Sequence, residues 1–309
     1  ISGLAILEDL TVAKALAVAV GAGAIIMSIE TGLGFASFHI KPFLLTGIVA
    51  GGFIFGIGMA ILGYCPGTLA ISLGEGSLDA LAGIAGALTG GLIYTLMLPT
   101  VSSILGPDLG TLSLMSFTGR NAFFYILSVL LGGIFIWLAF VLHRKEKGKN
   151  YKWLYTGLAL AVLDGFVFLT SSFNRPIGAS TTYPYLADLL TGTTSNGYFT
   201  TISKPGHWEF LFLTGAVIAG LLNSINRKEF KLTLIHSNWE RFKGKSPAKR
   251  IFWAFTGGFI LILGARMAGG CTSGHILSGG MQLAVSSLVF AVFVFAGLLL
   301  TGKLFYKES

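Results

Sequence analysis

Apolar residues fall in eight long runs, at 11–28, 42–63, 77–99, 122–142, 153–173, 208–224, 251–269 and 281–302. Each is close to the ~20 residues that carry a helix across about 30 Å of hydrocarbon. The pattern predicts an all-α polytopic membrane protein of about eight transmembrane helices. Two runs end in polar, glycine-bearing turns, Cys65-Pro66-Gly67-Thr68 and Cys271-Thr272-Ser273-Gly274-His275, each followed by further apolar sequence. Non-helical backbone at membrane depth is tolerated only beside protein or a water-filled cavity, so both turns are expected to line a path.

The charged fraction is 11% and the mean hydropathy +0.78 over 309 residues. A soluble domain is roughly a quarter charged, and this excludes one. Glycine supplies 43 residues, mostly inside the apolar runs, where it allows helices to approach closely. The chain starts at Ile1 rather than Met, so further residues are expected before it, and no stretch combines the three regions of a secretory signal.

The net charge of +8 reports topology rather than nucleic-acid binding. Arg144, Lys145, Lys147, Lys149 and Lys152 crowd the link between runs four and five. Arg227, Lys228, Lys231, Arg241, Lys243, Lys245, Lys249 and Arg250 crowd the link between runs six and seven. The positive-inside rule places both links, and the C-terminus with Lys303 and Lys307, in the cytoplasm. Lys41, Arg120, Arg175 and Lys204 then mark exterior connections, including the whole stretch 174–207. The basic links are read as topology signals, with docking of a cytoplasmic partner as the alternative.

A shift of 206 positions lays Gly51-Gly52-Phe53-Ile54 on Gly257-Gly258-Phe259-Ile260. It also pairs Gly58 with Gly264, Gly63 with Gly269, Cys65 with Cys271 and Gly74 with Gly280. The two copies have opposite predicted topology, which is the inverted repeat of many transporters. The expected halves are 1–142 and 153–309, joined by the basic link 143–152 in a single membrane domain. Cys65 then faces the cytoplasm and Cys271 the exterior.

Two cysteines make no disulfide framework. Pro66 suits the first turn of a helix, which would set the Cys65 thiol at a positive helix end that attracts anions. Arg266 lies inside the seventh run, where an arginine costs about 2.5–3.5 kcal/mol on insertion scales. It either snorkels to the headgroups or holds an anion or an acidic partner, Asp164 being one candidate. His275 is read either as a substrate or pH contact or as a loop histidine satisfied by its turn. Arg175 closes the fifth run outside and can gather anions at an entrance. No metal spacing, phosphate-binding loop or nucleophile elbow occurs, so no metal, cofactor or enzymatic activity is expected.

The segments Gly56-Ile57-Gly58-Met59-Ala60-Ile61-Leu62-Gly63-Tyr64-Cys65-Pro66-Gly67-Thr68 and Gly264-Ala265-Arg266-Met267-Ala268-Gly269-Gly270-Cys271-Thr272-Ser273-Gly274-His275 resemble the paired signatures of the YeeE/YedE sulfur-transport family. That resemblance implies a bacterial inner-membrane importer of thiosulfate or a related small sulfur anion, with short re-entrant helices meeting at a cysteine-lined constriction. Cys271 would receive the ion outside and Cys65 pass it inward. Arg266 matches the arginine of the second signature. Thr68, Thr272, Ser273, His275 and Arg175 join the expected pathway, and Gly63, Pro66, Gly67, Gly269, Gly270 and Gly274 shape its turns. The implied partners are the sulfur anion, the lipid bilayer and a cytoplasmic sulfurtransferase-like protein. The family's thiosulfate importers carry a further cysteine nearer the N-terminus, which these 309 residues do not contain: either Ile1-Ser2-Gly3 stands close to that site with residues before Ile1 missing, or the substrate is another sulfur or selenium species. A scaffold for a sulfurtransferase, and a thiol oxidoreductase cycling through a disulfide, are the competing classes. The oxidoreductase would need cysteine Cα atoms within about 7 Å.

Overall fold

The computed structural model describes residues 1–146 and 150–307; Lys147 and Lys149 of the first basic link lie outside the described residues. In chain order the helices are α1 (Ser2–Ala5), α2 (Thr11–Leu33), α3 (Leu45–Leu62), α4 (Pro66–Gly74), α5 (Asp79–Val101), α6 (Leu114–Thr118) and α7 (Ala122–Lys145). They continue with α8 (Lys152–Phe168), α9 (Thr182–Thr191), α10 (Gly197–Asn226), α11 (Ser237–Lys243), α12 (Pro247–Met267), a π-helix (Thr272–Gly279) and α13 (Val285–Phe305). Seven stretches are long and apolar enough to cross a membrane: α2, the α3–α4 stretch Leu45–Gly74, α5, α7, α10, α12 and α13. The remaining expected crossing, 153–173, is the shorter α8 of 17 residues. It still runs between the same two ends, because Trp153 meets His143 at one and Phe168 stacks on His39 at the other.

Those ends differ in charge. At one, Lys14 pairs with Glu146, Arg241 with Glu8 at 2.8 Å, and the Tyr306 hydroxyl donates to Ala60 O at 3.2 Å. These contacts gather both basic links and the C-terminal helix at one end, termed here the basic end. At the opposite end Arg120 donates to Gly32 O at 2.9 Å, Ser37 to Asn174 at 3.1 Å, and Ser113 bridges Ala284.

The repeat is carried by three elements each. Shifting α3, α4 and α5 by 206 lays them on α12, the π-helix and α13. The two copies are packed antiparallel through glycine. A Cβ on Gly51 would lie 2.8 Å from Gly264 O, and one on Gly264 2.7 Å from Gly51 O; one on Gly58 would lie 2.9 Å from Gly257 O. Each copy's first glycine therefore meets the other copy's second, the signature of a local two-fold axis. With no Cβ in the way the backbones touch, the close packing that small residues allow between apolar helices. The symmetry extends outward: α5 lies on α12 through Gly86 and Gly90, as α13 lies on α3 through Gly297 and Gly56. The two copies interleave, and α2 flanks them with α7 and α8.

One expectation is corrected. The stretch 174–207 is not an exterior loop throughout. Residues 177–184 are buried, α9 packs against α5 and α10, and α10 begins eleven residues before the expected 208. The Asn196 side chain caps α10 by accepting from Phe199 N at 2.7 Å, so the polar stretch with Lys204 and Pro205 is helical. Buried backbone in 177–181 is tolerated because side chains serve it: Ile177 N donates to Ser278 Oγ at 3.0 Å and Thr181 N to Glu209 at 2.6 Å.

The crossing makes a stability prediction. Gly264→Ala forces α3 and α12 apart and is expected to cost about 1–3 kcal/mol. Gly133→Ala, where nothing lies within 4 Å, is the control. Thermal unfolding in detergent checks this: a drop in midpoint for the first and none for the second is expected.

Candidate functional site

Each cysteine opens a short helix. α3 ends at Gly63, whose φ of +87° is the left-handed cap that favours glycine. Two residues on, Cys65 becomes the N-cap of α4, and Pro66 takes the first helical position, where its missing N–H costs nothing. The Cys65 sulfur accepts from Thr68 N at 3.5 Å, and Thr68 Oγ1 accepts from Cys65 N at 2.9 Å. A thiol thus stands where Ser or Asp usually caps, at the positive end of a helix. Thr68 Oγ1 is also 3.3 Å from the sulfur.

The second turn repeats the plan with different detail. Gly269 is left-handed at φ +72°, and Cys271, 1% exposed, begins the π-helix. Its sulfur lies 3.2 Å from Ser273 Oγ. The Thr272 hydroxyl is buried without a hydrogen-bond partner. His275 is fully buried with both ring nitrogens engaged, Nε2 2.8 Å from Ala268 O and Nδ1 3.0 Å from Ser287 Oγ. Because a carbonyl only accepts, Nε2 carries the proton and Nδ1 accepts from Ser287, which makes a neutral ring that braces the turn.

Lys41 reaches into this turn and donates to Gly269 O at 2.8 Å. A Cβ on Gly270 would lie 2.0 Å from its Nζ and one on Gly274 2.8 Å, so these glycines make room for the ammonium. Burial pulls Lys41 down to about 8; Cys271 and Glu209 oppose that shift and Arg266 adds to it.

Arg266 is buried among hydroxyls. Its Nε donates to Tyr198 Oη at 2.8 Å, and one terminal nitrogen donates to Thr181 Oγ1 at 3.1 Å and Ser180 Oγ at 3.3 Å. Among the described residues no carboxylate lies within ion-pair distance of it. Asp164 is not its partner: α8 packs on α2, and the Asp164 carboxylate accepts from Ser278 Oγ at 3.0 Å. Arg175 is half-buried, its guanidinium 4.4 Å from the centre of the Trp208 ring. Glu209 is buried, one oxygen holding Thr181 N and the other filling the space that Gly178 leaves.

Tyr183 touches the first of these turns. It is 3% exposed, lies within electrostatic reach of both Cys65 and Cys271, and donates to Pro66 O at 2.8 Å. Gly67 faces Ala179 of the same buried segment. Both thiols are free. The structure therefore brings Cys65, Cys271, Tyr183, Lys41 and Arg266 to one region, with the cations on the Cys271 side.

Sequence reasoning missed Lys41, Tyr183, Tyr198, Ser180, Thr181 and Glu209 as site residues. Glu209, a carboxylate inside an apolar run, was a usable signal. Lys41 had been read only for topology.

On the Cys65 side a cavity of about 300 Å³ opens at the basic end, lined by Gly63, Tyr64, Glu75, His236, Arg250 and Tyr306 among others. Arg250 of its lining belongs to a buried ion pair. Arg250 Nε donates to Asp79 at 2.9 Å and its terminal nitrogen to Leu62 O at 2.7 Å, while Tyr64 Oη lies 2.9 Å from His236 Nε2 and 3.3 Å from Asp79. Asp79→Asn leaves the Arg250 charge buried without its counter-ion and is expected to cost about 3–5 kcal/mol. His236→Ala, whose side chain is 41% exposed, is expected to cost far less. Detergent unfolding midpoints of the two variants check the ranking.

Comparison with known proteins supplies the context. Residues 1–300 match the protein family described as Sulphur transport. A curated relative, the thiosulfate transporter TsuA of Spirochaeta thermophila, is 27% identical over 286 residues, covering 86% of this chain and 79% of its own length. Family match, apolar helices and paired cysteine turns agree: the chain belongs to the YeeE/YedE sulphur transport family of multi-pass membrane proteins.

Proposed function

We propose that the protein imports thiosulfate or a closely related sulfur anion past Cys271 and then Cys65. The observation that carries this reading is the pairing of two free cysteines, each at the N-cap position of a short helix in oppositely running copies of one repeat, with Tyr183 within electrostatic reach of both. The named activity of the Spirochaeta relative supports the substrate class. Residues 1–142 and 153–309 act as inverted halves of one transport unit. The basic end faces the cytoplasm of a bacterial inner membrane, so import runs from the Cys271 side.

Chemistry suits each residue to a role. Lys41 and Arg266 supply positive charge that draws the anion in, and Arg266, held by hydroxyls alone, keeps its field for an incoming ion. The unpartnered Thr272 hydroxyl and Ser273 offer donors beside Cys271. A thiol is a weak donor, so it recognises a sulfur atom without holding it, as conduction requires. Thr68 and the α4 N-terminus present the same soft site at Cys65. Arg175, stacked on Trp208, marks the entrance, and His275 positions the Cys271 turn. A sulfurtransferase-like partner would take the product at the basic end, over the cavity beside Tyr64 and His236.

Purified protein in liposomes, assayed with sulfur-labelled thiosulfate and sulfate as competitor, tests this. Cys65→Ser and Cys271→Ser each keep a polar group but remove the soft sulfur, and uptake is expected to fall at least ~10-fold, a barrier change of ~1.4 kcal/mol. Full activity in both variants would sink the cysteine path.

Lys41 gives a pH dependence. Its charge is present below about 8 and lost above it, so apparent affinity for the anion should fall as external pH rises through about 8. Lys41→Arg should flatten that fall, and Lys41→Gln should show weak affinity at every pH.

A further inference from the structure

Asp164 lies inside α8 with no exposed surface. One of its oxygens accepts from Ser278 Oγ at 3.0 Å; the other, Oδ2, is buried with no hydrogen-bond partner. An ionised carboxylate in such a place has lost its water and gained only the Ser278 hydroxyl and the nearby Ile177 backbone, a poor exchange in low dielectric. Among the described residues no cation pairs with it. Of the charged and titratable groups on the elements around it, Glu30 and Arg175 each keep a buried polar atom without a hydrogen-bond partner, and the others are engaged elsewhere. From α2 comes Glu30, itself a carboxylate with Oε2 buried and unpartnered. Before α7, Arg120 is spent on the Thr31 and Gly32 carbonyls. In the 34–44 connection, His39 lies against Asn174 and Lys41 against Gly269. Arg175 stacks on Trp208, and His275 of the π-helix is held by Ala268 and Ser287.

We propose that Asp164 is a proton-binding site linked to the anion site beside Cys271; the linkage rests on the transport reading above. The link is Ser278, seven residues after Cys271. Its hydroxyl accepts from Ile177 N at 3.0 Å and has two acceptors in reach, the Asp164 carboxylate at 3.0 Å and Ile177 O at 3.4 Å. While Asp164 is ionised, the hydroxyl proton points to it. When a proton from the outer solution forms an O–H bond on Asp164, that oxygen becomes a donor and the Ser278 hydroxyl turns to Ile177 O. Ile177 leads directly into Ser180 and Thr181, which hold Arg266. Glu30 supplies the way in: it is partly exposed near the outer end of α2, and its Oε1 lies 3.2 Å from where a Gly165 Cβ would stand, beside Asp164. The sign follows from charge. A bound dianion repels an ionised carboxylate, so filling the anion site favours proton uptake, and the buried charge added is smaller than that of the anion alone.

Two measurements on the full-length protein in detergent test this. Infrared titration should show a protonated carboxylic-acid band that is missing in Asp164→Asn, a variant that keeps an oxygen acceptor for Ser278. Calorimetric titration with thiosulfate in buffers of different ionisation enthalpy should show net proton uptake in the parent, reduced at least twofold in the variant. Identical infrared spectra, or thiosulfate binding in the parent without proton uptake, would overturn the proposal, and neither calorimetric result on the parent requires the variant to fold. If thiosulfate does not bind at all, the transport reading falls with the linkage, while the infrared titration still decides the proton site.

Discussion

Where α3 crosses α12 the two backbones touch, and most of the architecture follows from that contact. Four glycines, Gly51, Gly58, Gly257 and Gly264, leave no Cβ between the helices, and they do so in a reciprocal pattern that only an antiparallel, two-fold arrangement satisfies. In an apolar solvent the hydrophobic effect does little to pull helices together, so van der Waals contact between close backbones carries the association. Once α3 and α12 are fixed, α5 and α13 have equivalent grooves to fill, and both fill them through further glycines.

That crossing also decides where the chemistry goes. α3 and α12 run in opposite directions, so their ends, each a left-handed glycine followed by a cysteine, are delivered to opposite sides of the same core. The following helices then present their N-termini to that core with a cysteine at the N-cap position, whose thiol makes the cap bond at Cys65 and turns to Ser273 at Cys271. The symmetry is broken by what surrounds each turn. Cys271 is flanked by Lys41 and the hydroxyl-held Arg266, whereas the turn before Cys65 lines, through Gly63 and Tyr64, a cavity shared with Arg250, whose charge is matched by Asp79. The two sides of a symmetric scaffold thus differ in charge: Lys41 and Arg266 share the field of Glu209 on one, and Arg250 is directly paired with Asp79 on the other.

The buried segment 177–184 connects the two sides. It brings Tyr183 to Pro66, offers Ser180 and Thr181 to Arg266, and binds Glu209 and Ser278 through its own amides. Its Ile177 and Thr181 amides are partnered by side chains inside the protein, which is the condition for irregular backbone at membrane depth, while the Thr182 hydroxyl stays buried without a partner.

Local properties of the sequence were enough for much of this. Run length gave the crossings, since a helix must satisfy its own backbone across hydrocarbon; the internal repeat gave the order of α3, α4 and α5 against α12, the π-helix and α13; Pro66 after Cys65 announced a helix start with its thiol cap. Other features were legible only in part. Polar residues at 197–207 looked like loop, because helix formation there depends on the Asn196 cap and on packing against α9. The partners of Arg266 and Asp164, and the arrival of Lys41 from a distant connection beneath Gly270, left no mark in the sequence. Such contacts join residues up to 228 positions apart, and their geometry depends on how the helices pack. Chain-local physics therefore determined the elements, their direction and the paired thiols, whereas only tertiary packing decided which charges meet, which remain unmatched, and which side of the core holds them.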